Sequence, residues 1–179
     1  MKHTGTQPFE TKRLLCRRFQ AADRDDMFRN WAADPEIQLE YGEPVYDTLD
    51  KVSELLANII SSYNREDVYR WAIIEKESGA NIGQIALCRV YSDKAAAEIE
   101  YCIGDNYSGH GYAGEALAGL IDHVFTTTGF LTLEAYHRSE NTRSGRVLEK
   151  SGMHKTDTIE RFREKGEYPV GEVCYSISK

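Results

Sequence analysis

The stretch that decides the fold runs from Glu98 to Ala116 and reads EIEYCIGDNYSGHGYAGEA. Residues 98–103 alternate apolar side chains with others, which is the period of a β-strand, and residues 104–106 then have the composition of a turn. Glycines at 109, 111 and 114 let the backbone approach a ligand closely, and an amphipathic helix follows at once. A loop of this kind at a helix N-terminus binds phosphate, because its amides and the helix dipole favour negative charge. We therefore predict an anionic, phosphate-bearing ligand at residues 108–114.

The composition limits the class of protein and its partners. The 179 residues suit one domain. A net charge of −7 without a basic run argues against nucleic acid as a partner. No apolar run approaches the ~18 residues of a membrane-spanning helix, and the N-terminus lacks the apolar core of a signal peptide, so we expect no membrane partner and a cytoplasmic location. The four cysteines fall in predicted strands without a Cys-x-x-Cys pair, which predicts reduced thiols and no metal site.

The periodicity of the chain predicts an α/β (α+β) domain with the element order β-α-α-β-β-β-α-β-α-β-β. We expect one domain at residues 9–178 after a tail at 1–8, and a mixed, mostly antiparallel sheet of about seven strands flanked by about four helices. Residues 98–137 form the one clear strand–helix–strand crossover, which predicts a parallel strand pair. Strands at 154–162 and 168–177 form a predicted terminal hairpin. Residues 36–46 read as a loop, whose Tyr41 and Tyr46 could line a pocket.

Two other kinds of phosphate-binding loop compete for residues 108–114. A mononucleotide P-loop needs Gly-x-x-x-x-Gly-Lys-Ser/Thr, and no lysine follows the glycines here. Gly109, Gly111 and Gly114 do spell the dinucleotide signature Gly-x-Gly-x-x-Gly, and Glu134 lies about twenty residues on, as that signature asks. The dinucleotide fold requires repeated βαβ units around a parallel sheet, whereas an antiparallel meander precedes this loop. A dinucleotide-binding protein is therefore kept only as an alternative.

Two motifs together resemble one known family. Residues 107–116, YSGHGYAGEA, resemble the acyl-CoA-binding signature Gln/Arg-x-x-Gly-x-Gly/Ala of the GNAT N-acetyltransferases, in the variant most like the RimJ/RimL branch. Residues 141–153, NTRSGRVLEKSGM, are similar to that branch's Asn-x-x-Ser-x-x-Val-Leu-Glu-Lys-x-Gly-Phe helix. With the element order, the resemblance covers residues 9–178. The chain departs from the pattern at Ser108, where the family has Gln or Arg, and at Met153, where it has Phe.

The resemblance implies a fold, an activity and a set of partners. It implies a single-domain GNAT-like fold that moves an acetyl group from acetyl-CoA, a co-substrate, to a primary amine by direct attack in a ternary complex, without a metal. The acceptor would be a protein N-terminal α-amine or a small-molecule amine, and the branch often forms homodimers. A non-catalytic acyl-CoA-binding or sensing domain on the same fold is the alternative from another functional class.

The resemblance also implies which residues bind acetyl-CoA. The backbone of residues 101–103 would pair with the pantetheine arm, residues 108–114 would hold the pyrophosphate, and the side chain of Asn141 would hold a pantetheine amide. The implied cofactor-binding residues are thus Tyr101, Cys102, Ile103, Ser108, Gly109, His110, Gly111, Tyr112, Ala113, Gly114 and Asn141.

Three side chains are expected to take part in catalysis. Glu98 and Glu100 share one face of their strand because side chains alternate with a period of two, and a carboxylate on the cleft face could take the proton of the amine through water. Glu98 matches the position of the glutamate base in histone-type GNAT members, so the resemblance favours it over Glu100. By the same resemblance, Ser144 would donate a hydrogen bond to the CoA sulfur, since Leu148 stands where many members have a tyrosine acid.

Overall fold

The computed structural model of the chain describes residues 1–156 and 172–179. Within these residues the strands form one sheet in the order β1-β2-β3-β4-β5-β6-β8-β7. Their bounds are β1 Phe9–Glu10, β2 Leu14–Arg17, β3 Tyr69–Glu75, β4 Asn81–Tyr91, β5 Ala96–Ile103, β6 Thr132–Arg138, β7 His154–Lys155 and β8 Glu172–Ser178. All neighbouring strands are antiparallel except β5 and β6. The mixed sheet and its parallel crossover pair are therefore confirmed.

Helices cover both faces of this sheet. Their bounds are α1 Arg24–Met27, which continues into a π-helical turn at Phe28–Ala32, then α2 Pro35–Tyr41, α3 Leu49–Ser62, α4 Tyr112–Thr127 and α5 Thr142–Lys150. Short 3₁₀ turns lie at Ala21–Asp23 and Asp105–Tyr107. No helix in the described ranges is long and apolar enough to cross a membrane. The predicted long helix after the glycine loop is confirmed as α4.

The prediction of a loop at residues 36–46 is wrong, because α2 occupies residues 35–41. Pro35 occupies its first turn, where a missing N–H costs nothing. The Asp34 side chain caps the helix by accepting from the amides of Glu36 and Ile37. Gly42 ends it in the left-handed conformation, with φ 80°, which glycine adopts without steric cost.

The predicted terminal hairpin can be compared with the structure only at its ends. His154 lies opposite Ser176 and Lys155 opposite Tyr175 in an antiparallel pair, as expected for a hairpin. Residues 157–171, which include the remainder of the first predicted strand and the turn, lie outside the described residues.

Two hydrophobic cores flank the sheet and fix which side chains face which helices. The larger core packs α4 and α5 on the face that carries Ala97 and Ile99 of β5. The smaller core packs the helices before β3 on the opposite face, which carries Cys102. Since side chains alternate along a strand, Tyr101 faces α4 and α5, whereas Glu98 and Glu100 face the side of α1 to α3.

The two parallel strands separate halfway along their length. β5 and β6 pair from Ala96 with Thr132 to Ile99 with Ala135, and the pairing stops there although β5 continues to Ile103. Over its last residues β5 still pairs with β4, while β6 pairs with β8. Within the described residues, the segment 100–103 therefore keeps an unpaired backbone edge toward β6. This divergence opens a cleft at the C-terminal ends of the parallel pair.

Candidate active site

The glycine loop lies at the N-terminus of α4 and is shaped to receive an anion. Gly109 and Gly111 have φ of 80° and 83°, in the left-handed region that side chains rarely adopt. A Cβ added at Gly109 or Gly114 would meet nothing within 4 Å, so neither is glycine to make room for a neighbouring side chain. Within the described residues, the amides of residues 109–114 donate no backbone hydrogen bond. Free amides at a helix N-terminus form an anion-binding site.

Glu115 ties this loop to the segment that precedes β2. Its carboxylate accepts hydrogen bonds from Thr11 Oγ1 at 2.6 Å and from the amide and Nε of Arg13, both at 2.7 Å. The Arg13 guanidinium also donates to the carbonyl of His110 at 3.0 Å and lies 4.3 Å from the centre of the Tyr112 ring. Burial raises the pKa of Glu115, but these hydrogen bonds outweigh it and leave that pKa below its usual value. The ionised form of Glu115 thus holds the loop in place.

Ser108, which departs from the family pattern, contacts an arginine that the sequence did not point to. Arg143, on the first turn of α5, donates a hydrogen bond from Nη1 to the Ser108 hydroxyl at 2.7 Å. A guanidinium therefore stands at the loop position where the family has Gln or Arg, supplied from a residue 35 positions later in the chain. Guanidinium groups bind phosphate in a planar, two-pronged geometry, so Arg143 offers a phosphate-binding side chain beside Ser108.

Ser144 and Asn141 take different places at the start of α5. The Asn141 side chain accepts a hydrogen bond from the amide of Ser144 at 3.0 Å, which is the ordinary role of an N-cap residue. The Ser144 hydroxyl lies 2.8 Å from the hydroxyl of Tyr101. Tyr101 was expected to act through its backbone alone, and its hydroxyl is a site group that the sequence analysis missed. The signal was available, since the strand period turns Tyr101 toward α5.

Burial sets the acid strength of Tyr101. Loss of solvent raises the pKa of the Tyr101 hydroxyl to about 12, although the hydrogen bond with Ser144 acts in the opposite direction. The hydroxyl therefore keeps its proton at neutral pH. It can donate that proton to the Ser144 oxygen, which leaves the Ser144 hydrogen free to point into the cleft.

The close approach of α5 to β6 depends on a glycine. A Cβ at Gly145 would lie 2.9 Å from Nε2 of His137 and 3.4 Å from the Tyr175 hydroxyl, which is too close for a methyl group beside the ring. The His137 Nε2 atom is buried without a hydrogen-bond partner among the described residues, while its Nδ1 lies 2.7 Å from the carbonyl oxygen of Arg138. Gly145 thus allows Ser144 to reach the edge of the cleft.

The two candidate carboxylates share a face, as predicted, but differ in their surroundings. Glu98 lies where β5 and β6 are paired, opposite Glu134, and both side chains are buried, with exposures of 4% and 1%. Nε of Arg89 lies 3.7 Å from Oε2 of Glu98. Glu100 lies one step further along β5, in the segment that lines the open cleft.

Glu100 is held by two donors through a single oxygen. Its Oε1 accepts from the Tyr41 hydroxyl and from Nη2 of Arg70, each at 2.7 Å. Arg70 donates in addition to Oε1 of Gln84 at 2.8 Å. Within the described residues, Oε2 of Glu100 has no hydrogen-bond partner. One oxygen therefore fixes the side chain, and the other remains able to accept a proton.

A pocket lies next to this cluster on the α1–α3 side of the sheet. Its volume is about 240 Å³, and its walls include Trp31, Tyr41, Tyr46 and Arg70. Tyr41 and Tyr46 thus line a pocket, as the sequence allowed, and both also pack against the smaller core. Burial raises the pKa of the Tyr46 hydroxyl, as does the negative charge of Glu43, which also lines this pocket.

The predicted site residues thus fall into three groups. The loop residues 108–114 converge on the N-terminus of α4, and Tyr101 meets Ser144 at the cleft. Glu100 contacts Tyr41 and Arg70, which line the pocket, whereas Glu98 lies where β5 and β6 are still paired. The side chain of Cys102 packs in the smaller core and its pKa is raised to about 12 by burial, so it leaves only its backbone for ligand contact.

Comparison with known proteins assigns the family. Residues 13–154 match the family described as the acetyltransferase (GNAT) domain, which is most of the chain. The chain therefore belongs to the GNAT acetyltransferase family, whose members carry out acetyl-CoA-dependent acetyl transfer, and not to the dinucleotide-binding proteins kept above as an alternative.

Individual relatives agree over nearly the whole length. The chain is 27% identical over 169 residues to an uncharacterized N-acetyltransferase, p20, of Bacillus licheniformis, and covers 94% of each protein. Its structure is similar to that of a GNAT-family acetyltransferase from Bacillus anthracis, with a TM-score of 0.78, 22% identity and coverage of 96% and 98%. It is also similar to the ribosomal-protein-S5-alanine acetyltransferase of Vibrio fischeri, with a TM-score of 0.75, 18% identity and coverage of 96% of each chain. These structures support the fold.

Proposed function

We propose that this protein transfers the acetyl group of acetyl-CoA to a primary amine, as in the RimJ/RimL branch, by direct attack in a ternary complex. The acceptor is a protein N-terminal α-amine or a small amine. The observation that carries the proposal is the divergence of β5 from β6 after Ile99 and Ala135. Tyr101 lies on the resulting unpaired edge of residues 100–103, and the chain leads from there into the glycine loop, which supports the binding of one extended ligand along both.

The described residues fit the parts of acetyl-CoA. The amides of residues 109–114 are free to bind its pyrophosphate, and Arg143 beside Ser108 supplies a cation for it. The unpaired edge of residues 100–103 offers backbone donors and acceptors to the amide-bearing pantetheine arm. Acetyl-CoA supplies the activated acetyl thioester, and a backbone N–H of residues 101–103 would stabilise the charge that develops on the carbonyl oxygen. One such donor contributes about 3 kcal/mol.

We assign proton removal to Glu100 in preference to Glu98. Glu100 lies in the part of β5 that has left β6, and its partners Tyr41 and Arg70 line the pocket, whereas Glu98 is buried where β5 and β6 still pair. A carboxylate fixed through one oxygen by Arg70 and Tyr41 can accept a proton on the other without moving. The burden is light for an α-amine, since its pKa is about 8 against about 10.4 for a lysine.

We assign stabilisation of the departing thiolate to Ser144, which donates a hydrogen bond to the sulfur and keeps its own proton. The serine hydroxyl donates its hydrogen toward the sulfur while it accepts a hydrogen bond from Tyr101, and the 2.8 Å separation of the two oxygens supports this arrangement. Tyr101 keeps the serine oriented and is itself protonated at neutral pH because its pKa is raised to about 12.

The test is an assay of free thiol. The purified protein is mixed with acetyl-CoA and a panel of amines that includes peptides with free N-termini, the same peptides with blocked N-termini, and small polyamines. We expect CoA release that requires both the protein and a free amine, with the acetylated amine found by mass spectrometry. CoA binding without release with any amine would instead support the acyl-CoA-sensing alternative.

A further inference from the structure

The pocket lined by Tyr41 and Arg70 carries an unbalanced negative charge. Of the described residues that line it, only Glu43 and Arg70 have charged side chains. Arg70 already forms an ion pair with Glu100, from Nη2 to Oε1 at 2.7 Å, so its positive charge is compensated. Within the described residues, the carboxylate of Glu43 forms no ion pair. Two carboxylates and one guanidinium therefore meet at this pocket, which leaves one negative charge for a cation to compensate.

The backbone holds Glu43 at the edge of this pocket. Just after α2, the amide of Glu43 donates to the carbonyl of Gln38 at 3.0 Å. Three residues later, the amide of Tyr46 donates to the carbonyl of Ala32, also at 3.0 Å. Both ends of the segment 43–46 are thus fixed to helical elements, while Glu43 itself remains exposed to solvent. A molecule that enters the pocket from solvent can therefore reach this carboxylate.

The carboxylates of Glu43 and Glu100 act on each other. Burial raises the pKa of Glu43, and the negative charge of Glu100 raises it further. The charge of Arg70 and a hydrogen bond with Tyr46 act in the opposite direction, but they do not cancel the increase. A nearby negative charge disfavours the ionised form of a carboxyl group, whereas a nearby positive charge favours it. A cation bound beside Glu43 would therefore relieve the repulsion between the two carboxylates.

We propose that Glu43 binds the acceptor amine in its protonated form, while Glu100 takes the proton from it. This inference rests on the proposed function, because it makes the pocket the acceptor site. At pH 7 an α-amine, whose pKa is about 8, arrives mainly as an ammonium ion, and its charge supplies the compensation that the pocket lacks. Binding at Glu43 breaks no bond. The ammonium then gives one proton to Oε2 of Glu100, and the neutral nitrogen attacks the thioester. Glu43 thus contributes to acceptor affinity, and Glu100 contributes to the rate of the reaction.

The kinetic test separates affinity from rate by means of Glu43→Gln, which removes the charge and keeps the shape of the side chain. An exposed ion pair contributes up to about fivefold in affinity, and a partly buried pair is screened less by salt. We therefore expect the acceptor KM at pH 7 to rise about 5- to 20-fold, with kcat within about threefold of the native value, as for a group that contributes binding alone. Glu40→Gln is the matched control, because Glu40 lies on α2 and does not line the pocket, and it should leave both constants unchanged. An unchanged dissociation constant for acetyl-CoA checks that Glu43→Gln is folded.

The pH dependence tests whether Glu43 binds the ammonium ion. The ratio of the acceptor KM of Glu43→Gln to that of the native protein should be largest between the pKa of Glu43 and that of the amine, because both partners are charged only in that range. The ratio should fall toward 1 at pH 9.5, where an α-amine is mostly neutral, and also as pH falls through the raised pKa of Glu43. A peptide with a hydroxyl group in place of its N-terminal amine, used as a competitive inhibitor, should bind the native protein and Glu43→Gln equally well.

The possible outcomes distinguish this inference from the proposed function. An acceptor KM at pH 7 that Glu43→Gln leaves unchanged, a KM ratio as large at pH 9.5 as at pH 7, or a loss confined to kcat would overturn the role of Glu43 alone. No CoA release by the native protein with any amine would overturn the proposed function.

Discussion

Replacement of Glu100 by Gln separates the two candidate bases. Gln keeps the shape of the side chain, and its Oε1 can still accept from Tyr41 and Arg70, which now lie 2.7 Å from the carboxylate oxygen. The variant can no longer take a proton on its second oxygen, which becomes an amide NH2, and it also loses the negative charge beside Arg70. Removal of a positioned general base typically costs 10²- to 10⁴-fold. Because water can partly replace a base at an open cleft, we expect a loss at the lower end of this range, a decrease in kcat of about 100-fold at pH 7.

The fold should tolerate this change. Arg70 and Glu100 retain 24% and 21% side-chain exposure, so loss of the partner charge is only partly compensated by solvent. We expect a stability cost of about 1–2 kcal/mol, which for a chain of this size lowers Tm by roughly 2–8 °C. A thermal scan before the assay therefore checks that the measured rates at 25 °C come from folded protein.

The assay measures CoA release from acetyl-CoA with an α-amine acceptor between pH 6 and pH 9.5, for Glu100→Gln and for Glu98→Gln as its matched control. The loss of kcat in Glu100→Gln relative to the native protein should become smaller as pH rises past the pKa of the amine, about 8, because the amine is then already deprotonated and needs no base. Glu98→Gln should keep its rate within about threefold of the native rate, since Glu98 lies where β5 and β6 are paired and not in the open cleft. A 100-fold loss in Glu98→Gln with a near-native Glu100→Gln would refute the assignment.

Three further predictions concern the hydroxyl pair, the approach of α5 and the anchor of the glycine loop. Tyr101→Phe should lower kcat about 10- to 100-fold. The double variant Tyr101→Phe, Ser144→Ala should be no slower than the slower of the two single variants, because the two hydroxyls act as one unit. A double variant whose initial rate falls by the product of the two single losses would contradict this. Gly145→Ala should lower the free energy of unfolding, measured with urea, by about 1–3 kcal/mol because the added methyl overpacks against His137. His137→Ala in the Gly145→Ala variant should restore part of the lost stability. A urea midpoint unchanged by Gly145→Ala would show that the contact relaxes without cost. Glu115→Gln should cost about 1–2 kcal/mol at pH 7. Since the folded-state pKa of Glu115 is lowered, its contribution is present above its unfolded pKa and disappears as pH falls through the folded value. The urea-unfolding free energies of native and variant should therefore converge as the pH is lowered; a gap that stays as large in acid as at pH 7 would exclude the carboxylate as the cause.

Elements with a complete local pattern could be predicted from the sequence, and α2 shows why others could not. Long helices and strands repeat their apolar residues every 3.6 or 2 positions, which a short window reveals. In α2, however, Gln38 is fully buried while Leu39 is 63% exposed, so the apolar pattern points away from the core. Its limits are set by Asp34, Pro35 and Gly42, and these residue types are equally frequent in turns. Only the packing of this segment against Trp31 distinguishes a helix from a turn here.

The same distinction between local and long-range information applies to the site. The anion-binding loop is contiguous, so its residues and their geometry follow from one stretch of sequence. The cation at that loop does not, because Arg143 reaches Ser108 only after α4 and β6 have turned the chain back on itself. The hydrogen bond from Arg143 to Ser108 supports our proposal that cofactor binding does not require Gln or Arg at position 108. If that proposal holds, substitution of Arg143 should change acetyl-CoA affinity more than substitution of Ser108 by Gln, whose side chain would compete with the guanidinium for the same space.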